Sequence, residues 1–437
     1  LDREFAARLQ GILDAVRAGS ARATAEHARS QLRSAVPEMA VPEQVLISLN
    51  DRLHAWPGDF HPHPRLAKQL TRRRDGLAET GAIDWGHAEA LAFASLLREG
   101  TSIRMSGQDA ERGTFSHRHA VLHDVQTGAT YTPLAHVAEP GSARFEIYNS
   151  PLSETAVMGF EYGFSVAAED TLTLWEAQFG DFANVAQPII DQFLAADHAK
   201  WHQDSGLVLL LPHGYEGAGP EHSSARLERF LQLCAEGNMS VAYPSTPAQY
   251  FHVLRRHAKK RPLRPLVLMQ PKWMLRLTSA MSSLRDLTQG AFQPVIDDAS
   301  DPATRESVTR IVCCTGKIYW ELLAKPQNTE VAVVRIEELY PWPHGELGRV
   351  VDAYPNVEQV AWVQEEPKNQ GAWSYVAPLL RVSAGTALQV PYIGRPERAS
   401  TAEGYKEDHE TEQARILDAA LSIVTKTARR RRSTLVR

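Results

Sequence analysis

Four stretches of the sequence carry residue types whose spacing could do chemistry. In SPLSETAVMGFEYG (150–163), Glu154 follows a serine able to cap a helix, so its carboxyl falls in a first helical turn. A carboxyl there is an acid–base candidate, and equally a cap or a partner for the helix dipole. Gly159 and Gly163 lie four apart on one face, where another backbone can come close. In WEAQFGDFANVAQ (175–187), Phe179 and Phe182 sit just past an apolar run. Two rings at a strand end could cradle a flat heteroaromatic group, or could simply be core. LLLPHGYEGAGPEHSSARLER (209–229) runs from an apolar segment into a glycine-rich loop, with Ser223 or Ser224 expected to cap the next helix. His222 in that loop is a candidate for binding a carboxylate or moving a proton, beside the plainer reading of ordinary turn hydrogen bonds. The fourth stretch, SGQDAERGTFSHRHA (106–120), reads as a polar loop lining the same cleft.

Several common sites are excluded. No G-x-G-x-x-G follows a strand, CTGK (314–317) lacks the upstream glycine of a P-loop, and no G-x-S-x-G elbow occurs. The pairs His61/His63 and His117/His119 have metal-ligand types but no evident third ligand, so no metal site is assigned. A net charge of −5 over 437 residues gives no reason to expect nucleic acid or an anionic membrane as partner. Three cysteines, two of them adjacent (Cys313, Cys314), make no disulfide framework, and a reducing, cytoplasmic setting fits best. No run of about 18 apolar residues suggests a membrane span. The first residue is Leu1, which suggests a fragment or processed chain.

The elements that must position these residues follow from periodicity. Residues 1–36 have helical spacing, and 37–82, with its basic RLAKQLTRRR, reads as a connector with a solvated face. Apolar runs then alternate with helical segments: FEIYN (145–149), LTLWE (172–176), LVLLLP (207–212), SVAYP (240–244) and LVLMQ (266–270). The intervening helices are expected at WGHAEALAFASLLREG, ETAVMGFEYGFSV, ANVAQPIIDQFLAA, SSARLERFLQLCAEG and PAQYFHVLRRHAKK. A boundary loop near 290–305 separates a second series: RIVCCTG (310–316), EVAVVRI (330–336), VAWVQEE (360–366) and LQVPYIG (388–394). Strands alternating with helices predict an α/β protein with two doubly wound, mostly parallel sheets. The expected division is a helical connector (1–82), a first α/β domain (83–300) and a second (301–437), with the basic tail ARRRRSTLVR frayed.

LTLWEAQFGDFANVAQPIIDQF, LPHGYEGAGPEHSSARLERFLQLCAEGNM, PSTPAQYFHVLRR, VRIEELYPWPH and QEEPKNQGAW together resemble the thiamine-dependent dehydrogenase component of the 2-oxoglutarate dehydrogenase complex. The resemblance covers nearly all of 83–405. RRHAKK and SETAVMGFEYGFSV are similar, more weakly, to the actinobacterial multifunctional form. It implies a transketolase-like fold, with a pyrimidine-binding domain followed by a carboxyl-terminal domain. By this resemblance Glu154 is the cofactor-activating acid, in a buried site that raises its pKa. Phe179 and Phe182 pack on the aminopyrimidine, and His222 is a second catalytic residue facing substrate. Arg256 and Lys259 align with positions that help bind acetyl-CoA as a regulator. The implied cofactors are thiamine diphosphate and Mg²⁺, the metal and diphosphate being held by a segment absent from this chain. The implied reaction is oxidative decarboxylation of 2-oxoglutarate with succinyl transfer to a lipoyl arm, in the tricarboxylic acid cycle. A homodimer or a separate diphosphate-binding segment, and a lipoyl-bearing succinyltransferase, are the implied partners. Another 2-oxoacid decarboxylase, a transketolase, or a catalytically silent dimerisation or assembly fragment remain alternatives.

Overall fold

The computed structural model describes residues 39–423 apart from 80–81, 140, 300 and 386, together with positions 7, 10, 11, 13 and 14. The helices expected before residue 37 fall almost wholly outside the described residues, and the tail ARRRRSTLVR falls entirely outside them. Two helices, Glu43–Leu53 and Pro64–Glu79, lead into the first sheet.

In chain order, β1 (Ser102–Gly107) precedes a small antiparallel ladder of β2 (Leu122–His123) and β3 (Thr130–Tyr131). Then come β4 (Phe145–Asn149), β5 (Thr171–Glu176), β6 (Val208–Pro212), β7 (Ser240–Ala242), β8 (Leu266–Gln270) and β9 (Val295–Ile296). The remainder are β10 (Arg310–Cys314), β11 (Val331–Ile336), β12 (Glu338–Tyr340), β13 (Gln359–Pro367) and β14 (Tyr392–Arg395). One sheet has the order β12-β7-β8-β6-β5-β1-β4, and the other β14-β13-β10-β11-β9. Every pairing is parallel except β12 with β7 and β11 with β9, the edge strands. The expected α/β class with two mostly parallel sheets is the one observed.

Sequence dictates these strands through burial on both faces. All of β6 and β8 is buried, as an unbroken apolar run requires in the middle of a helix-covered sheet. In the second sheet the faces separate. Ile311 and Cys313 of β10 join the main core, while Val312 and Cys314 pack with Ile416 and Leu417 of helix Lys406–Leu421. Adjacent cysteines therefore point to opposite faces, and all three cysteines are free.

FEIYN and LVLMQ become β4 and β8 residue for residue. β1 escaped the periodicity reading, because Arg104 and Ser106 interrupt its apolar positions, yet it lies between β4 and β5. The helix expected over 183–196 is instead a 3-10 turn (Gly180–Ala186), one short helical turn (Gln187–Ile189) and a π turn (Ile190–Leu194). Pro188 explains the break, since it donates no amide to a regular helix. The helix expected from Ser223 begins only at Leu227, after Arg226 in a left-handed conformation (φ 57°). Neither serine caps it; Ser223 donates to the Gly219 carbonyl, and the Ser224 hydroxyl accepts from the Arg226 amide.

Helix Pro247–Lys259 has the two signals of a well-specified start: a Thr246 hydroxyl accepting the Gln249 amide, and proline in the first turn. Beside it, the β11–β12 corner locks the sheets together. Buried Glu337 accepts from the Ser245 amide (2.7 Å) and hydroxyl (2.5 Å), and β12 covers the β7 edge. At the far end of the helix, buried His257 meets the Gly206 carbonyl at 2.8 Å. Burial pushes its pKa down to about 4, against the ordinary 6.5. A folded-state value below the unfolded one means that its stabilising contribution is whole above pH 6.5 and is lost as pH falls toward 4. His54, lowered to about 4 by burial, acts with the same sign. His257→Gln keeps a donor and removes a titration, so the fall in Tm between pH 6.5 and 4 should become shallower. An unchanged slope in calorimetric melts would refute this.

Candidate active site

The carboxyl ends of β5 and β6 bring three of the expected site residues together. Phe179 and His222 meet edge to face with ring centroids 4.3 Å apart; Phe182 lies 5.7 Å from Phe179 and 6.2 Å from His222. All three residues are half-buried, so the two phenyls are not enclosed in the core. Gly180 makes the arrangement possible. A Cβ there would stand 2.3 Å from the Ala225 Cβ and 2.6 Å from the Pro212 carbonyl oxygen. Without a side chain, the loop bearing His222 can close onto the strand end bearing Phe179.

That loop is held by hydrogen bonds from both sheets. His213 Nδ1 accepts the Ala225 amide (2.9 Å), which leaves the ring proton on Nε2 to be donated to Glu366 at 3.0 Å. Gly214 donates its amide to the Ser223 carbonyl at 2.9 Å. Buried Lys272 donates to the Gly214 carbonyl (2.7 Å) and to the His222 carbonyl, and the Thr401 hydroxyl donates to the Pro220 carbonyl (2.8 Å). Burial works to raise the Glu366 pKa, but the hydrogen bond from His213 holds it below the ordinary carboxylate value. Burial pushes its neighbour Glu365 up to about 7, although Lys317 lies 2.6 Å away.

Glu154 opens helix Glu154–Ala167, as expected, but Ser153 makes no side-chain capping bond. The Glu154 carboxyl, half-buried rather than enclosed, makes no hydrogen bond or ion pair among the described residues. A capping carboxylate would bond a backbone amide, so the capping reading fails on geometry. Its helix abuts the turn carrying Phe182: the Thr155 hydroxyl donates to the Val185 carbonyl at 2.5 Å, and Gly159 faces Ile189. Gly163 faces open space. Around this end lie exposed apolar side chains: Tyr148 (46%), Leu152 (56%), Phe160 (56%) and Val185 (51%).

Arg256 and Lys259 lie elsewhere, on helix Pro247–Lys259. Arg256 pairs with buried Glu338 and stacks over Phe292, while Lys259 pairs with Glu99 at 2.7 Å. The two His-x-His pairs sit on loops rather than strands, and among the described residues no group of three His, Cys, Asp or Glu is placed to hold a metal.

Sequence reasoning missed the support beneath the cluster. Phe115, from the loop 107–120, places its ring 5.6 Å from that of Phe179. The loop is anchored by buried Arg118, which binds Glu89 (2.6 Å), Glu176 (2.5 Å) and the Ala110 carbonyl (2.9 Å), with the Tyr250 hydroxyl on Glu89 (2.6 Å). Burial pushes Glu176 above the ordinary carboxylate value despite Arg118. Nothing in local spacing announces this cluster, because its members lie up to 161 residues apart. Lys272 and Glu366 were hidden for the same reason.

Two family patterns match the chain: "Transketolase, pyrimidine binding domain" over residues 81–278, and "2-oxoglutarate dehydrogenase C-terminal" over 281–421. The chain is 52% identical over 390 residues to a 2-oxoglutarate dehydrogenase E1 component of Geobacillus sp., covering 88% of this chain and 41% of that protein. It is 50% identical over 393 residues to the component of the same description from Exiguobacterium sp., and 49% over 396 residues to that of Bacillus mycoides, with the same 88% and 41% coverage. The chain thus spans about two fifths of the length of the relatives it matches.

Arg118→Leu would leave Glu89 and Glu176 buried without a cation, a change that costs about 3–5 kcal/mol for buried pairs. Urea unfolding should show a loss of that size. A loss below about 1 kcal/mol would mean that the arginine does not hold the loop in place.

Proposed function

The chain belongs to the 2-oxoglutarate dehydrogenase E1 family, carrying its pyrimidine-binding and carboxyl-terminal domains, and we propose that it supplies the activating half of a thiamine-diphosphate site. The proposed reaction is oxidative decarboxylation of 2-oxoglutarate with succinyl transfer to a lipoyl arm. The observation that carries this reading is the unpartnered Glu154 carboxyl, on a helix packed against the turn of a half-open aromatic cluster.

These residues fit the cofactor's aminopyrimidine. Phe179 and Phe182 present ring surface to a flat heterocycle, a contact that contributes roughly 0.5–1.5 kcal/mol beyond area burial. Glu154, with no protein partner, would hold a proton at a ring nitrogen. When bound, thiamine diphosphate supplies the carbon nucleophile for the 2-keto group. His222, fixed through its loop by Lys272 and His213, would face the substrate and move a proton there. We assign the diphosphate and its Mg²⁺ to a segment outside this chain.

The apolar collar of Tyr148, Leu152, Phe160 and Val185 beside Glu154 supports a second subunit at this point, as in a homodimer with shared sites. That partner would also complete the enclosure that half-buried Glu154 lacks here. We keep Arg256 and Lys259 as proposed acetyl-CoA contacts. Since both are already paired with Glu338 and Glu99, the ligand's phosphates would have to compete for them. No helix among the described residues is long and apolar enough to cross a membrane.

In the enzyme completed with its diphosphate-binding segment, Glu154→Gln should lower kcat for 2-oxoglutarate decarboxylation by about 10²-fold or more, with the melting curve unchanged. Activity within threefold of the unsubstituted enzyme would falsify the assignment. Failure of the complete, unsubstituted enzyme to release CO₂ from 2-oxoglutarate would instead favour the assembly-fragment reading.

A further inference from the structure

A groove of about 490 Å³ opens between helix Pro64–Glu79 and the turn Trp273–Arg276, and the active-site reading does not use it. On one wall stand Arg65, Lys68 and Arg72, spaced by three and four residues and hence on one helix face. Arg276 lines the groove from the other element, with Ser116, His117 and His119 between them. These four cations are exposed, and none has an ion pair among the described residues. Among the described residues the one carboxylate lining the groove, Asp84, is already bound by Arg73 through two hydrogen bonds (2.9 and 2.8 Å) and accepts the His87 amide. Among the described residues the field of these four charges is therefore uncompensated. Burial and then Arg73 push the His119 pKa down; for His117 the causes are burial, then Arg118 and Arg73.

Arg74, two residues beyond Arg72 on the same helix, pairs with Asp75 at 2.9 Å and does not line the groove. Arg65, Lys68 and Arg72 instead border a concave space closed by a fourth cation from a distant part of the chain. The volume falls within the range of small-molecule sites. Guanidinium forks on two walls match the oxygens of phosphate or carboxylate groups.

We propose that this groove is a binding site for a compact multivalent oxyanion, held between Arg65, Lys68 and Arg72 on one side and Arg276 on the other. Its occupant would sit close to the aromatic cluster. Arg276 donates to the Phe115 carbonyl at 2.9 Å, and the Phe115 ring meets that of Phe179. The proposal does not rest on the thiamine reading, and it is tested without turnover.

The chain is titrated calorimetrically with inorganic pyrophosphate and, separately, with citrate at low ionic strength. Saturable binding at one site is expected. The dissociation constant should rise at least tenfold in Arg72→Ala and in Arg276→Ala, and stay within twofold in Arg74→Ala. Lys68→Gln, a milder change on the same wall, should weaken binding severalfold and guards against a folding defect in the alanine variants. Binding of pyrophosphate alone assigns a phosphate-bearing ligand, and of citrate alone a polycarboxylate. No saturable binding of either anion overturns the proposal. So does an equal loss in Arg74→Ala, which would mean diffuse attraction to a basic surface.

Discussion

The constraint on which the rest of the site depends is the two-ended hydrogen bonding of His213. Because Nδ1 accepts from Ala225, the ring's proton is committed to Glu366, and the glycine-rich loop after β6 is tied at once to its own far end and to the second sheet. A loop with Gly214, Gly217 and Gly219 at positive φ has little local preference of its own. Its shape comes from outside: Glu366 at the end of β13, Thr401 on the Pro220 carbonyl, and the Lys272 ammonium on two loop carbonyls. The loop bearing His222 is held in place by bonds from both sheets, so residues after 300 help to shape the candidate site.

The charges follow a single pattern. Arg118 with Glu89 and Glu176, Lys317 with Glu365 and the partly exposed Glu321, and Arg395 with Glu403 each place a buried cation on carboxylates. Buried pairs of this kind give little net stability over well-packed apolar residues. What they provide here is position. Each cation also reaches a group distant in sequence: Arg118 to Glu176, Lys317 to Glu365, and Arg395 to the Glu365 carbonyl. Arg256 belongs with them: its pairing with Glu338 holds the covering strand β12 against helix Pro247–Lys259.

The fold was legible wherever burial on both strand faces made an unbroken apolar run, as in LVLLLP and LVLMQ. It was illegible where backbone geometry overrode composition. Pro188 broke a segment of helical pattern into three kinds of turn, and left-handed Arg226 delayed a helix whose serines look like caps. Of the candidate site, spacing alone offered Phe179, Phe182 and His222 as candidates, since each follows an apolar run that ends a strand, with core or turn roles equally open. The likeness to known sequences singled out Glu154, whose local pattern fits an ordinary capping residue equally well. Phe115, Lys272 and Glu366 were beyond reach because their roles depend on contacts across tens to hundreds of residues.

A structural carboxylate near a helix start should be bonded to amides, structural phenyls should be enclosed, and structural cations should be paired. Among the described residues Glu154, Phe179 with Phe182, and the Arg65–Lys68–Arg72–Arg276 groove each violate one of these rules. Where Arg118 and Arg395 are buried, their carboxylate partners are in place. The groove and the aromatic rings are also linked, since Arg276 donates to the Phe115 carbonyl and the Phe115 ring meets that of Phe179. Selection for stability alone gives no reason to leave an acid, an aromatic surface and a set of cations all unsatisfied around one end of the first sheet. Unsatisfied groups that converge are what a binding surface looks like before its ligands arrive, and the half-exposed Glu154 carboxyl is the group in this set whose chemistry most needs a partner to enclose it.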